Sequence, residues 1–243
     1  MPRRQELRID HAIQPSRRLL MQIVTPNDLA LAAHAIEAGE LVVVPTQRWY
    51  MLCCDASNPD ACARIFTTKR RPPDKSLLFV AQSPEAVRQR FHVSKEAEFL
   101  AAAFWPGDLA LLLPWRDPAE GERHQAVGTP EALVTVAPGI LGELAALTAV
   151  PIAATSANVS GTEGTAPSIT LKEVLNFVAS TEADLPIVVD GGVCPIANHL
   201  TIVRCTADGT GMAREGVVHA RAVAAVLSGD AMEKHRSAAG ADR

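Results

Sequence analysis

Short apolar runs alternate along this chain with amphipathic stretches, and turn residues separate the two. Short apolar runs bounded by Pro, Gly or polar residues are typical of buried strands. Pro45 closes the first such run because proline donates no hydrogen bond to a sheet ladder. The strands predicted in this way lie at 40–45, 76–81, 109–114, 133–136, 149–154, 187–189 and 201–203.

Apolar residues at helical spacing predict helices between most of these strands. Asn58 and Pro59 are typical of an N-cap and a first helical position, and Gly39 ends the first helix. The predicted helices lie at 26–38, 58–69, 84–90, 94–104, 168–178 and 219–227, with Ser168 as the N-cap of the fifth. The charged segment 116–129 is predicted to be a mobile connection. The predicted fold class is therefore α/β, a single open twisted sheet of mixed direction with helices packed on it.

Length and pattern predict one folded domain at 25–227, with an N-terminal extension at 1–24 and a disordered tail at 228–243. Hydrophobic residues make up 48% of the chain and charged residues 21%, which suits a soluble globular protein. No apolar run is long enough to span a membrane, and the basic start lacks the apolar core of a secretion signal. We therefore expect a cytoplasmic protein without a membrane partner. The net charge of -4 argues against nucleic-acid binding through the overall field, although a local basic patch stays open.

Cysteine and histidine spacing predicts no metal site. The five cysteines include no C-x-x-C pair, so we expect them to be core residues in a reducing compartment. His92, His124 and His199 lack metal-ligand spacing, and surface or packing roles are expected for them. Trp105 is expected to pack against the sheet, whereas for Trp49 both packing and ligand contact stay open.

The strand at 149–154 runs directly into the sequence Thr-Ser-Ala-Asn-Val-Ser-Gly at 155–161. In open α/β sheets, ligands bind at the carboxyl ends of strands. Ser156 and Asn158 place hydrogen-bonding groups close to the backbone, and Gly161 lets the chain pass near a ligand. An ordinary strand-to-loop turn is the competing interpretation of the same residues.

A second polar element, Lys69-Arg70-Arg71-Pro72, follows a predicted helix and precedes a predicted strand. Lys69 and Arg71 are predicted to share one side of an extended segment, since they are two residues apart. Arg71 can bind phosphate oxygens through two parallel donors, and Lys69 can act as a point charge. A solvated helix end that complements the helix dipole is the competing interpretation.

Seven short motifs, taken together, resemble the YrdC family. They are Pro45-Thr46-x-x-x-Tyr50-x-Leu52, Ile65-Phe66-x-x-Lys69-x-Arg71-Pro72, Phe104-Trp105-Pro106-Gly107, Ser156-Ala157-Asn158-x-Ser160-Gly161, Asp190-Gly191-Gly192-x-Cys194, Thr201-Ile202-Val203 and Arg214-x-Gly216. Each motif alone is weak, but seven in this order and spacing are specific, and the similarity spans residues 25–220.

The better-known members of this family are threonylcarbamoyl-AMP synthases. The resemblance implies a nucleotidyltransferase that joins L-threonine, bicarbonate and ATP into threonylcarbamoyl-adenylate and pyrophosphate, for tRNA modification. It also implies a concave basic surface on an open twisted sheet, with ATP as substrate together with Mg²⁺. Such chemistry needs fixed cations where negative charge builds on the leaving pyrophosphate. The ATP-binding positions that the resemblance implies are Lys69, Arg71, Ser156, Asn158 and Arg214, and it assigns no catalytic residue and no metal ligand here.

The chain departs from the family pattern in the implied amino-acid pocket. Arg48 stands where the family has threonine, Val136 where it has arginine, and Leu200 where it has serine. A buried polar group that is deprived of its partner costs ~1–3 kcal/mol, so threonine is expected to be a poor substrate. Arg48 can instead supply a cation from a different direction. The pocket positions carried over from the family are Thr46, Arg48, Tyr50, Val136, Leu200 and Thr201.

Three functions stay open from the sequence. The first is a threonylcarbamoyl-AMP synthase with an unusual pocket, which acts on ATP, bicarbonate and an amino acid. The second is a diverged relative that binds ATP but activates another substrate. The third is a non-catalytic double-stranded RNA-binding protein, whose affinity for tRNA or structured RNA would depend on salt. The sequence does not indicate an oligomeric state.

Overall fold

A computed structural model of the protein describes residues 21–160 and 166–229. Ten strands and eight α-helices lie within these residues. The strands are β1 (Gln22–Val24), β2 (Val42–Pro45), β3 (Tyr50–Asp55), β4 (Leu78–Val80), β5 (Leu109–Pro114), β6 (Glu131–Thr135), β7 (Ile152–Ser156), β8 (Ile187–Val189), β9 (Thr201–Thr206) and β10 (Gly209–Arg214). The helices are α1 (Leu29–Glu37), α2 (Pro59–Lys69), α3 (Pro84–Arg90), α4 (Lys95–Phe104), α5 (Pro118–Arg123), α6 (Gly139–Leu147), α7 (Leu171–Thr181) and α8 (Ala220–Leu227).

All ten strands belong to one sheet, in the order β1-β8-β2-β3-β7-β4-β6-β5-β9-β10. Neighbouring strands run parallel at β1–β8, β8–β2, β4–β6 and β5–β9. They run antiparallel at β2–β3, β3–β7, β7–β4, β6–β5 and β9–β10. The predicted fold class, one sheet of mixed direction with packed helices, is therefore confirmed.

Side chains that alternate along the strands divide between two apolar clusters, one on each face of the sheet. In β3, Tyr50 and Leu52 belong to one cluster, while Met51 and Cys53 belong to the other. The first cluster includes residues of α2, α4, α7 and α8, and the second includes residues of α1 and α6. Helices thus cover both faces, and each fully buried aliphatic or aromatic side chain stabilises this arrangement by ~1.5–3 kcal/mol.

The start of α7 differs from the prediction because another residue caps the helix. Ser168 Oγ donates a hydrogen bond to the backbone oxygen of Ala157 at 2.7 Å, so Ser168 is not the N-cap. Thr170 is the N-cap instead, and its Oγ1 accepts from the backbone N–H of Glu173 at 3.3 Å. The Glu173 carboxylate in turn accepts from the backbone N–H of Thr170 at 3.0 Å. This reciprocal capping box begins the helix two residues later than predicted.

The prediction of a mobile connection at 116–129 is wrong. The segment contains α5 and a 3₁₀ turn at Gln125–Val127. Asp117 caps α5 by accepting from the backbone N–H of Ala119 at 3.0 Å, and Val127 is fully buried. The charged residues of this segment thus belong in part to a short capped helix, and the turn that follows the helix packs one apolar side chain into the core.

Four further elements were not predicted, namely β1, β3, β10 and α6. All six residues of β3 are buried, so the strand shows no alternation, and β10 is a largely exposed edge strand with few apolar residues. Within α6, position 142 requires glycine, because a Cβ there would lie 2.1 Å from the backbone oxygen of Ala137.

The sheet begins with β1 inside the predicted N-terminal extension. Residues 1–20 and 230–243, which hold the rest of that extension and nearly all of the predicted tail, lie outside the described residues. Within the described ranges, no helix has the length and apolar character to cross a membrane.

Candidate functional site

Two polar turns lie side by side at one end of the central strands β2, β3 and β7. The antiparallel register pairs Pro45 with Tyr50 and Met51 with Ser156. The end of β2, the start of β3 and the end of β7 therefore lie side by side. The backbone N–H of Ala157 also donates to the oxygen of Tyr50 at 2.8 Å, which joins the turn after β7 to the start of β3. The hairpin turn at 46–49 thus lies next to the turn at 156–158.

Lys69 binds the turn after β7. It is the last residue of α2, and only 1% of its surface is exposed. Its Nζ donates to the backbone oxygens of Ser156 and Asn158 and, at 3.0 Å, to Asn158 Oδ1. The backbone N–H of Ser160 donates back to the oxygen of Lys69 at 2.8 Å. Lys69 is therefore not a solvated helix end, and it fixes the shape of the polar turn.

The segment after Lys69 is not extended, contrary to the prediction. Arg70 ends α2 in the left-handed conformation, with φ of 50°, and is exposed. Arg71 is half-buried, and its guanidinium donates to the backbone oxygens of Lys75 at 2.9 Å and Ser76 at 2.7 Å. Arg71 therefore stiffens the segment that leads into β4.

Lys69 and Arg71 lie within electrostatic range of each other. Burial, and after it the charge of Arg71, lower the pKa of Lys69 to about 7. Burial also lowers the pKa of Arg71. Burial disfavours the charged form of each side chain, and the charge of Asp74 acts in the opposite direction on Arg71. A bound anion would favour the charged form of both, so this pair is suited to phosphate oxygens.

Ser156 and Asn158 present their side chains at the same place. Ser156 Oγ donates to Asn158 Oδ1 at 2.7 Å, and both residues are partly exposed. Asn158 Oδ1 accepts from Lys69 as well. Three of the five predicted ATP-binding residues, Lys69, Ser156 and Asn158, thus form one hydrogen-bonded group, and a fourth, Arg71, lies within electrostatic range of Lys69. Gly161, the last residue of that motif, lies outside the described residues.

A second charged group is built around Arg48 in the hairpin turn. Arg48 Nε donates to Asp108 Oδ1 at 2.6 Å, and the two side chains are 8% and 17% exposed. Asp108 precedes β5, which is four strands from β3, or roughly 19 Å along the sheet at ~4.8 Å per strand. Contact at 2.6 Å therefore requires the hairpin turn and the loop before β5 to approach each other over the face of the sheet.

Arg214, the fifth predicted ATP-binding residue, belongs to this second group. Its Nε donates to the backbone oxygen of Leu200 at 3.0 Å. Burial, and next the charge of Arg48, lower the pKa of Arg214. Burial, then Arg214, then Arg48 lower the pKa of His199. Gly216 permits this packing, because a Cβ there would lie 2.1 Å from the backbone oxygen of His199.

The predicted pocket hydroxyls are engaged within the protein. Thr46 Oγ1 donates to the oxygen of Trp49 at 2.8 Å and fixes the hairpin turn. Thr201 Oγ1 donates to the oxygen of Val218 at 2.7 Å and accepts from two backbone N–H groups. Tyr50 is fully buried, and its hydroxyl donates to the oxygen of Gly192 at 2.8 Å.

The two apolar pocket positions diverge. Leu200 packs in the cluster that contains Trp49 and Ala110. Val136 packs in the other cluster, with Leu109. The structure therefore brings Leu200, but not the Val136 side chain, toward Trp49. The ring of Trp49 lies 5.7 Å from that of His199, centroid to centroid.

Asp108 and His199 are the members of the second group that the sequence analysis did not assign to the site. Asp108 directly follows the Phe104–Gly107 motif, but an acidic residue after a glycine turn carries no local sign of an arginine sixty positions earlier. His199 adjoins Leu200 in sequence, and this adjacency to a predicted pocket position was the one sequence signal that could have assigned it to the site. Trp105 packs as predicted, and its Nε1 donates to the oxygen of Leu109 at 2.7 Å.

The described residues contain no group of three or more His, Cys, Asp or Glu side chains suited to a metal ion. Their one buried side-chain atom without a hydrogen-bond partner is Nε2 of His124, whose ring stacks on Trp115 at 5.3 Å, as a packing role requires. A separate cavity of about 850 Å³ lies between α2 and residues 122–129. It is lined by none of the predicted site residues.

Comparisons with known proteins identify the family. The model of the Sua5, YciO and YrdC proteins, described as "Telomere recombination", matches residues 34–216. The chain belongs to this family. The threonylcarbamoyl-AMP synthase of Bacillus subtilis is 31% identical over 212 residues, which cover 84% of this chain and 58% of the relative. That of Pyrococcus abyssi is 33% identical over 181 residues, which cover 73% and 51%. The chain thus spans little more than half the length of these relatives.

Solved structures of the family share the fold. P. abyssi Sua5 complexed with L-threonine matches with a TM-score of 0.74 at 28% identity, over 86% of this chain and 59% of that one. E. coli YciO matches with a TM-score of 0.71 over 84% of this chain and 100% of that one. At 18% identity, the likeness to YciO concerns the fold alone.

Proposed function

We propose that this chain is an ATP-dependent enzyme that joins an amino acid and bicarbonate to AMP. The relatives named threonylcarbamoyl-AMP synthase support the reaction class. The observation that carries the proposal is the buried Lys69, whose Nζ binds the polar turn at the end of β7 and which lies within electrostatic range of a second cation, Arg71. ATP would bind across Lys69, Arg71, Ser156, Asn158 and Arg214.

The proposed reaction has two steps. The neutral amine of the amino acid attacks the carbon of bicarbonate, water leaves, and a carbamate forms. A carbamate oxygen then attacks the α-phosphorus of ATP, and the bond from that phosphorus to the bridging oxygen breaks as pyrophosphate leaves. Negative charge grows on pyrophosphate in this step, and Lys69 with Arg71 would stabilise it. Mg²⁺ bound together with ATP would neutralise part of the negative charge on the phosphates.

Pyrophosphate release tests the proposal directly. The full chain should release pyrophosphate only when ATP, bicarbonate and an amino acid are all present, and mass spectrometry should detect the carbamoyl-adenylate. Release that is independent of bicarbonate would contradict this reaction class. We further propose that the product serves tRNA modification in the cytoplasm, in keeping with the family resemblance.

The alternative of double-stranded RNA binding is separable in the same preparation. Affinity for a structured RNA that falls steeply between low and high salt, without any pyrophosphate release, would favour that alternative over the enzyme.

A further inference from the structure

The cavity beside α2 contains a cysteine in its wall. Cys62 is the fourth residue of α2, lines the cavity together with Ala63 and Phe66, and has 2% of its surface exposed. Asp74 and Glu122 line the same cavity and are exposed, so the cavity opens to solvent. Its volume is about 850 Å³, whereas a water molecule takes about 30 Å³ of liquid. A small molecule can therefore enter the cavity and reach the wall that includes Cys62.

A second cysteine lies next to the first. Cys54 is fully buried in β3, and its Sγ lies 3.7 Å from Sγ of Cys62. Cys62 Sγ also donates to the backbone oxygen of Asp55 at 3.5 Å. Within residues 21–160 and 166–229, no other two cysteine sulfurs form a hydrogen bond with each other. We name Cys54 and Cys62 the buried dithiol.

The buried dithiol is close enough to form a disulfide. A disulfide bond is about 2.05 Å long, so the two sulfurs must approach each other by about 1.7 Å. Rotation about the Cα–Cβ bonds moves the sulfurs without moving the backbone. Both side chains pack in one apolar cluster, whereas Cys53 packs in the cluster on the other face of the sheet. Cys53 therefore cannot take the place of its neighbour Cys54 in this bond.

The two sulfurs differ in protonation and in access. The hydrogen bond with Cys62, and after it burial, raise the pKa of Cys54 well above its usual range, so Cys54 keeps its proton. Cys62 is the member of the pair that lines the cavity. An oxidant that enters the cavity therefore meets Cys62 first, and Cys54 supplies the second sulfur.

We propose that a peroxide that enters the cavity oxidises the buried dithiol to a disulfide. With hydrogen peroxide, the thiolate of Cys62 attacks one oxygen, the O–O bond breaks, and Cys62 becomes a sulfenic acid. The hydroxide that leaves takes up the proton that Cys62 released. Cys54 Sγ then attacks Cys62 Sγ, the S–O bond breaks, and the proton of Cys54 leaves with that oxygen as water. Two thiols thus lose two electrons, and hydrogen peroxide is reduced to two molecules of water.

Peptide mapping tests the proposal. Trypsin cuts after Arg48 and Arg64, so Cys53, Cys54 and Cys62 leave in one peptide. The full chain is treated with hydrogen peroxide in its native state, unfolded and alkylated with iodoacetamide. The peptide should carry one alkyl group instead of three, and dithiothreitol before alkylation should restore all three, because a disulfide is reversible whereas a sulfinic acid is not. Three alkyl groups after peroxide, or a loss that dithiothreitol does not reverse, would overturn the proposal.

Single variants identify the two partners. After peroxide, the peptide of Cys53→Ala should carry no alkyl group, because Cys54 and Cys62 are still present. A reversible loss of both alkyl groups from Cys54→Ala would show that Cys53 is the partner and would overturn the assignment. Cys205 is the matched control, because it is 2% exposed like Cys62 but does not line the cavity. Its peptide should keep its alkyl group, and an equal loss there would show unselective oxidation.

Two further variants test the entry of the oxidant. Ala63 and Thr67 are both exposed on α2, but only Ala63 lines the cavity. Ala63→Phe narrows the cavity and should slow disulfide formation, whereas Thr67→Phe should leave the rate unchanged. Equal rates in the two variants would overturn the role of the cavity as the route to Cys62.

Discussion

Replacing Lys69 by methionine removes the ammonium group that fixes the polar turn. Methionine fills a similar volume without a donor. The change leaves the backbone oxygens of Ser156 and Asn158 without the Nζ that binds them in the native protein. An acceptor that loses its partner inside a protein costs about 1–3 kcal/mol. Two such acceptors lose their partner here. Both residues are partly exposed, so water can replace part of the lost binding, and we expect Lys69→Met to lower the free energy of unfolding by about 2–4 kcal/mol.

Urea unfolding followed by tryptophan fluorescence measures this loss. In thermal unfolding, the melting temperature of Lys69→Met should lie about 5–15 °C below that of the native chain, as expected for a chain of this size. Lys75→Met is the matched control. Lys75 is exposed, and it binds Arg71 through its backbone oxygen, which the substitution does not change. The control should change stability by less than about 0.5 kcal/mol. A Lys69→Met variant as stable as the control would refute the role of Lys69 in holding the turn.

Three other predictions concern single positions. Tyr50 is the only tyrosine, and burial raises its pKa from 10.0 to about 12. The folded state thus keeps a proton that the unfolded chain releases near pH 10, so the free energy of unfolding should fall as pH rises from 10 toward 12. A midpoint near pH 10 for tyrosinate absorbance in the folded protein would contradict this. Thr170→Ala should cost about 1 kcal/mol in urea unfolding, the value of one N-cap, and an unchanged midpoint would show that Thr170 does not cap α7. Arg71→Ala should raise the calorimetric Kd for ATP at least tenfold, or ~1.4 kcal/mol, whereas Arg70→Ala should not; equal effects would remove Arg71 from the site.

Local signals in the sequence predicted most of the fold. The N-cap Asn58 and the first-turn Pro59 located α2, and apolar runs located β5 and β8 at their observed bounds. β10 was missed because it is a largely exposed edge strand with few apolar residues, so no apolar run marks it. β3 is buried on both faces, as β8 is, but it contains two cysteines and an aspartate, whereas β8 is a continuous run of branched apolar residues.

The candidate site could be predicted only in part. Its residues near Lys69 follow from motifs, since each motif is a continuous stretch of chain. The contact between Arg48 and Asp108 depends on how the sheet brings two distant loops together, and neither residue signals it locally. Val136 shows the same limit of local motifs. The family pattern assigned it to the amino-acid pocket, but its side chain packs in the apolar cluster that contains Leu109. Introducing arginine there would place a guanidinium in an apolar cluster.

The position of β8 in the sheet has a consequence for folding kinetics. β8 separates β1 from β2, so residue 22 pairs with residue 187 and residue 42 pairs with the same residue. During synthesis, β2 emerges long before β8 and has one unpaired edge until the last quarter of the chain is made. Contacts of such high sequence separation slow folding, because a long loop must close before they form. We therefore expect the amides of β1 to gain protection late in pulsed hydrogen exchange, after those of the β2–β3 hairpin.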